Sequence, residues 1–386
     1  MLKRLAGPLW ALVTGFAALG GVGSVLMTRQ PEFYQRWGLD NAEWGWVLFS
    51  GGLGGVLAYP LNRALLLRWG SRTMLHRFGT AGGIVLGLIP WLPGLSGLLA
   101  GLFLQGMIYN GVSVAINHQA AQWELHQGRR MMGRLHATFF IGSVLSAFVS
   151  GLLAAAGVNL ALHMAAVGLL AALVHRAAAA TLRAETAAPM EQVEVRPAVD
   201  AWLGLGLLLC WCTVLESGVM GWASVYLSQA LHAADSVAGF GLAVFSGAMA
   251  VGRLFSDGLV NRYGGARLVR FGGCLCAVAL FLAAWLPAMP LAFLAFAATG
   301  LGLAAAAPVI FSAAGRMGGE ALALVAGLGA LGGLLGPLLL GRVASLLSLE
   351  WVLSLLAMVS AVIAWQARVL GDHGARAVSL SEVTRS

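Results

Sequence analysis

The chain has 386 residues, of which 59% are hydrophobic and only 10% charged, and its formal charge is +8. A soluble domain carries about 25% charged residues, so there is too little charge here to cover a soluble surface. A soluble enzyme, a disordered chain and a secreted disulfide scaffold are excluded on that ground. The basic residues are 22 Arg and the single Lys3, scattered in short segments between apolar runs. Nucleic-acid sites need dense basic patches on a soluble face, so no nucleic-acid partner is expected.

Lys3 and Arg4 precede an apolar run at 8–28. A signal peptide's apolar region is only about 7–15 residues long, so this run reads as a retained first span. Further spans are predicted at 43–63 (span 2), 74–92 (3), 96–119 (4), 133–155 (5) and 159–181 (6). After these come 200–227 (7), 237–257 (8), 268–286 (9), 290–313 (10), 321–343 (11) and 349–370 (12). Each suits a membrane helix of roughly 20 residues and none shows the alternation of a membrane barrel. The expected fold is therefore all-α: a polytopic membrane protein of twelve helices in two pseudo-symmetric halves. The polar stretch from Arg183 to Asp200 reads as a solvated linker. The expected layout is a first half at 1–182, a linker at 183–199, a second half at 200–370 and a tail at 371–386.

With the N-terminus placed in the cytoplasm, 20 of the 23 basic residues fall inside and only Arg29, Arg36 and Arg342 fall outside. The positive-inside effect then predicts that both termini and the linker are cytoplasmic. The pairs Cys210/Cys212 and Cys274/Cys276 have a spacing that separates side chains on a helix. They read as small core residues, with no metal site and no cofactor expected. No phosphate-binding loop or catalytic nucleophile–base pair is apparent.

The halves echo one another. Arg68-Trp69-Gly70 follows span 2, and Arg262-Tyr263-Gly264 follows span 8, 194 residues later. Gly142 and Gly336 keep the same offset. A duplicated six-helix unit is the mark of many secondary transporters. With its matched basic loops and central linker, the chain resembles the major facilitator superfamily along nearly its whole length. Two stretches are similar to the YbjJ-like bacterial inner-membrane branch near the fucose permeases. One runs from Asn117-His118-Gln119 to Gly142, the other from Glu216-Ser217-Gly218 to Gly264. The superfamily loop carries an Asp three residues before its Gly, where this chain has Leu67 and Asn261. The resemblance implies a multi-pass protein of the bacterial cytoplasmic membrane. It also implies an inner gate at Arg68, Gly70, Arg72, Arg253, Asp257, Arg262 and Gly264. Arg253 and Asp257, four apart on span 8, could pair on one face. For Arg68 and Arg72, ordinary positive-inside topology explains the charge as well.

Glu216 is the sharpest signal for chemistry. It lies near mid-membrane in span 7, where a carboxylate costs on the order of 3 kcal/mol and protonation lowers that cost. It binds a polar substrate, a coupling proton or both, or else it is a structural acid satisfied by a neighbour. Gly106, Asn110, Ser113 and Asn117 recur at helical spacing in span 4, and a polar face in lipid must turn to protein or water. Asn110, Ser113 and Asn117 are thus candidate cavity residues, the alternative being interhelical hydrogen bonds. Thr14, Gly21, Ser24 and Thr28 in span 1 read as packing. His118 and His136 sit near the cytoplasmic ends of spans 4 and 5, either as pH-sensitive gate residues or as satisfied interfacial histidines. Gly336-Pro337 should kink span 11. The expected protein is a monomeric secondary transporter, driven by protons through Glu216 and carrying a small polar solute such as a sugar. The alternatives are an exporter of amphipathic compounds and a non-transporting sensor.

Overall fold

The computed structural model describes residues 2–127, 131–182, 199–317 and 319–371. Apart from Val199 and Gly371, the expected linker and tail lie outside the described residues, as do Arg129 and Arg130. Everything described is helix or short connection. That is what lipid demands, since backbone polar groups there must be satisfied within the segment.

Span 1 is Leu2–Thr28, followed by a short helix Gln30–Trp37. Span 2 starts as Asn41–Leu57 and continues past Ala58 into the helix Tyr59–Leu88. That helix is broken at Gly70, and span 3 is its later part. Spans 4, 5 and 6 are Gly94–Gln127, Met132–Ala155 and Leu160–Thr181. Span 7 is Val199–Val225 with a π-helical extension Tyr226–Ala230. Span 8 is Phe240–Tyr263 and span 9 is Gly265–Trp285. Span 10 is split into Met289–Leu303 and Ala306–Gly315; spans 11 and 12 are Gly319–Leu346 and Leu349–Gln366. Ten of these helices are long and apolar enough to cross a membrane. Spans 2 and 3 complete the twelve. The turn at Ala58 leaves the apolar part of span 2 only 17 residues long, and Arg63, Arg68, Arg72 and Arg77 dilute the next helix.

Two connections are shorter than the sequence predicts. Spans 2 and 3 are separated by Gly70 alone (φ 74°, ψ 157°), and spans 8 and 9 by Gly264 alone (φ 83°, ψ 145°). Only glycine takes a positive φ without steric penalty. The two matched glycines therefore do the same work in each half. The charged residues counted as loop ride on helix ends instead. Arg77 reaches back across the break to stack on Trp69, 4.4 Å from the ring centre. Span 10 breaks where Pro308 removes the N–H that would bond Ala304 and crowds its carbonyl. Span 11 runs as one helix through Pro337.

Packing repeats across the pseudo-symmetry. Span 1 lies on span 5 as span 7 lies on span 11, and span 3 lies on span 6 as span 9 lies on span 12. Between halves, span 2 meets span 11 and span 5 meets span 8. Small residues allow the close crossings: a methyl at Gly142 would collide with the Ala17 carbonyl, and one at Gly20 with the Phe139 carbonyl. Of the span 1 stripe, Gly21, Ser24 and Thr28 pack as expected, whereas Thr14 is exposed and donates to the Trp10 carbonyl of its own helix. Ser146 Oγ donates to the Gly21 carbonyl at 2.9 Å, and Ser24, Ser143 and Ser246 form a buried hydroxyl chain through spans 1, 5 and 8.

The face where span 1 begins is called the near face, and the other the far face. Every hydrogen bond between the halves, among the described residues, lies between mid-depth and the far face. Besides Ser143–Ser246, Trp44 Nε1 donates to the Gly221 carbonyl at 3.1 Å, and Gln35 Nε2 to Asp235 Oδ2 at 3.1 Å. Gly45 and Gly341 touch backbone to backbone beside them. Also on the far face, Arg29 is buried, ion-paired to Glu32 and hydrogen-bonded to His163 Nδ1 (3.0 Å) and the Val158 carbonyl (2.6 Å). Nearby, burial pushes the Tyr34 phenol well above its ordinary range, with Asp40 adding to the shift.

Candidate functional site

A cavity of about 420 Å³ opens between the halves. Its walls come from spans 1, 2, 4, 7 and 11. Span 4 turns Gln105, Gly106, Tyr109, Asn110 and Ser113 to it, and span 2 offers Trp44 and the glycine faces Gly51, Gly52 and Gly55. Span 7 adds Ser217, Met220 and Gly221; span 11 adds Gly333 and Pro337. Pro337 has no N–H, so the Gly333 carbonyl loses its helical donor at the cavity wall. No Asp, Glu, Lys, Arg or His is among the described lining residues.

Asn110 and Ser113 therefore stand where the span 4 stripe puts them. The Asn110 carbonyl oxygen is taken by Asn62 Nδ2 at 2.8 Å, which leaves the Asn110 amide hydrogens for the cavity. Asn117, one turn further along, is outside the lining. It hydrogen-bonds His136 Nε2 at 3.2 Å and donates to the Ser113 carbonyl at 2.9 Å. His118 is half-buried on span 4.

Glu216 is half-buried beside Ser217 and is not among the lining residues. No hydrogen bond or ion pair joins it to a described residue, but the charge of Arg253 reaches it. The same charge reaches His136. Arg253 stacks on Phe140 of the opposite half, 4.5 Å from the ring centre, and its buried Nε has no partner. The Arg253–Asp257 pair expected from spacing is not formed. Arg253 lies over Phe140 instead, while Asp257 is exposed in a polar cleft of about 500 Å³ on the near face with Asn261 and Arg316. Arg253 of span 8 stacks on Phe140 of span 5 across the halves, and one turn away on span 5 His136 bonds Asn117 of span 4.

The near-face arginines have local partners. Arg72 Nε donates to the Ala179 carbonyl at 2.8 Å, capping the C-terminus of span 6. Arg262 lies over its neighbour Tyr263, and Arg68 is exposed. Glu124 accepts from the backbone N–H of Met131 and Met132, closing the N-terminus of span 5. We expect Arg72→Leu to lower stability by about 1 kcal/mol, read as a lower Tm with solute affinity unchanged.

Sequence reasoning passed over Gln105, Tyr109, Asn62 and Trp44. A signal for the first two was present, since Gln105, Tyr109 and Ser113 are four apart and form a second row beside the stripe. Asn62 sits among near-face arginines, and nothing local marks it as a partner of Asn110.

No family model matches the chain. It is 31% identical to an uncharacterised MFS-type transporter of Yersinia pestis over 360 residues, covering 91% of this chain and 93% of the relative. It is 29% identical to an uncharacterised transporter of Sinorhizobium fredii over 392 residues, covering 96% and 100%. Membrane protein MosC of Rhizobium meliloti is 24% identical over 359 residues, covering 92% and 88%. Among solved structures, the nucleoside transporter NupG superposes with a TM-score of 0.73 at 15% identity, covering 94% and 98%. A bacterial homologue of the lysosomal transporter Spinster gives 0.70 at 13% identity, covering 96% of each chain. These two likenesses establish the fold.

Proposed function

The chain belongs to the major facilitator superfamily of transporters, and from that premise we propose that it carries a small uncharged solute through the central cavity by alternating access. The observation that carries this reading is the cavity itself, walled by both halves and pinned at the far face by Trp44–Gly221 and Gly45–Gly341. Rocking one half against the other opens such a site to each side in turn. The near face is cytoplasmic in this proposal, on the distribution of basic residues, so the conformation is inward-facing. The protein acts as a monomer in the bacterial inner membrane. Glu216 is the proton-coupling group, next in the chain to the lining residue Ser217.

The second reading, export of amphipathic compounds, is favoured by the largely apolar walls. Lipophilic cations fit it poorly, because the described lining offers no carboxylate to pair with them.

Gly333→Leu tests the site. A Cβ there meets nothing nearer than Thr213 Cβ at 4.0 Å, so the side chain extends into the cavity. Replacing a mid-helix glycine also favours the helix by roughly 0.5–1 kcal/mol. The expected result is an equal or higher Tm with solute flux into proteoliposomes reduced at least about tenfold. Flux at the wild-type rate would show that solute passes elsewhere.

A further inference from the structure

We propose that a phospholipid with a primary-ammonium headgroup, phosphatidylethanolamine, binds from the near-face leaflet between spans 8, 9 and 10. Two adjoining hollows build the site, and neither belongs to the central cavity. One is the polar cleft of about 500 Å³ that holds Asp257, Asn261 and Arg316. The other is an apolar groove of about 460 Å³ between the same three spans. Ser256 and Ala305 line both.

Chain direction orders the two by depth. Span 8 runs towards the near face, and its groove residues begin at Val251 while its cleft residues end at Asn261. Span 9 runs back from the near face, with Gly265 in the cleft and Leu275 in the groove. Span 10 descends again, and its break at Ala304 and Ala305 falls where groove meets cleft. The polar part therefore lies at the near-face interface, and the apolar part rises from it into the membrane. Val251 and Asn261 are ten positions apart. That is about 15 Å of helix, the hydrocarbon depth of one leaflet. Phe255, Phe271 and Leu301 of the groove are exposed, so it opens sideways to lipid.

The charges in the cleft select the headgroup. Asp257 and Arg316 form no ion pair with one another or with any other described residue. Arg316 donates one N–H to Ser312 Oγ at 3.0 Å and keeps the others. A carboxylate and a guanidinium apart in one cleft suit a zwitterion, with its phosphate on Arg316 and its ammonium on Asp257. An anionic headgroup would leave Asp257 facing a like charge. Choline carries the positive charge but has no N–H to donate, whereas a primary ammonium has three.

The test uses purified full-length protein, delipidated in detergent, with bound lipid counted by native mass spectrometry. The probes are dioleoyl phosphatidylethanolamine, phosphatidylcholine and phosphatidylglycerol, which share their chains, and free phosphoethanolamine. The wild type should bind the ethanolamine lipid at least about tenfold more tightly than the other two, the scale of one charge-assisted hydrogen bond. Asp257→Asn, an isosteric change at an exposed position, should bind the ethanolamine and choline lipids equally. Val251→Trp should weaken all three lipids by filling the groove, with the ethanolamine preference kept. Surface charges that merely face water would give no preference for Asp257→Asn to remove. Equal binding of the ethanolamine and choline lipids by the wild type overturns the proposal, as does tighter binding of the glycerol lipid. So does a preference that survives Asp257→Asn, and so does the absence of bound lipid. Displacement of the lipid by equimolar phosphoethanolamine would overturn it too, since the cleft alone would then be the site.

Discussion

Gly45→Phe is expected to stop transport and hold the far face open. At Gly45 an added Cβ would lie 3.1 Å from Gly341 Cα and 3.1 Å from the Pro337 carbonyl. These are backbone atoms, which cannot turn aside as a side chain can. A full ring at that point cannot be seated while spans 2 and 11 touch. Overpacking costs about 1–3 kcal/mol even where a core partly yields. Each 1.4 kcal/mol shifts a two-state equilibrium about tenfold, so the closed far face becomes a minor state. Flux in proteoliposomes should fall to background. Leu48 lines the cavity from span 2. A Leu48→Cys reporter in a background without the native cysteines should be modified from the far side at least about tenfold faster in the wedge variant. Unchanged labelling and flux would mean that the Gly45–Gly341 contact is not the far-side gate.

Glu216→Gln is expected to break the proposed link between proton gradient and solute while leaving solute exchange intact. In the structure Glu216 has no hydrogen bond, and Arg253 is the cation that reaches it. Arg253 is also shared with the other half through Phe140. Glu216 and Arg253 lie in the same half, and rocking of the halves moves Phe140 off Arg253, which frees the guanidinium to change its position relative to Glu216. A carboxylate near mid-membrane that gains and loses its cation is poised to release and take up a proton. Glutamine keeps the shape and removes the titration. The solute accumulation ratio under an imposed pH gradient should therefore drop to about one, with wild-type counterflow exchange. Wild-type accumulation in the variant would assign Glu216 a structural role.

Much of the fold was legible because lipid allows so few solutions. Twelve apolar runs could only be twelve helices, and the repeated Arg-aromatic-Gly unit pointed to the two glycine breaks that the structure places at Gly70 and Gly264. What failed was loop length. Arginines at helix ends look like loop residues to a hydropathy reading, although Tyr59–Leu88 carries four of them within helix. For the cavity, the span 4 stripe foretold Asn110 and Ser113 because helical periodicity is local. Gln105 escaped notice as one carboxamide at the edge of that stripe. Arg253 shows why pair rules stop at the helix surface. Sequence offers it Asp257 one turn away, but Phe140 comes from 113 residues earlier in the chain, and only the packing of span 5 on span 8 brings it there.

Arg29 bears on how the protein enters the membrane. In the proposed orientation it is one of few basic residues that must be carried outward, against the tendency that retains arginine inside. Glu32 follows it by one helical turn and pairs with it. The segment can thus cross as a nearly neutral parcel, and His163 and the Val158 carbonyl receive the guanidinium once span 6 is in place. Glu32 then matters first during biogenesis, when no later span has yet been made to shelter Arg29.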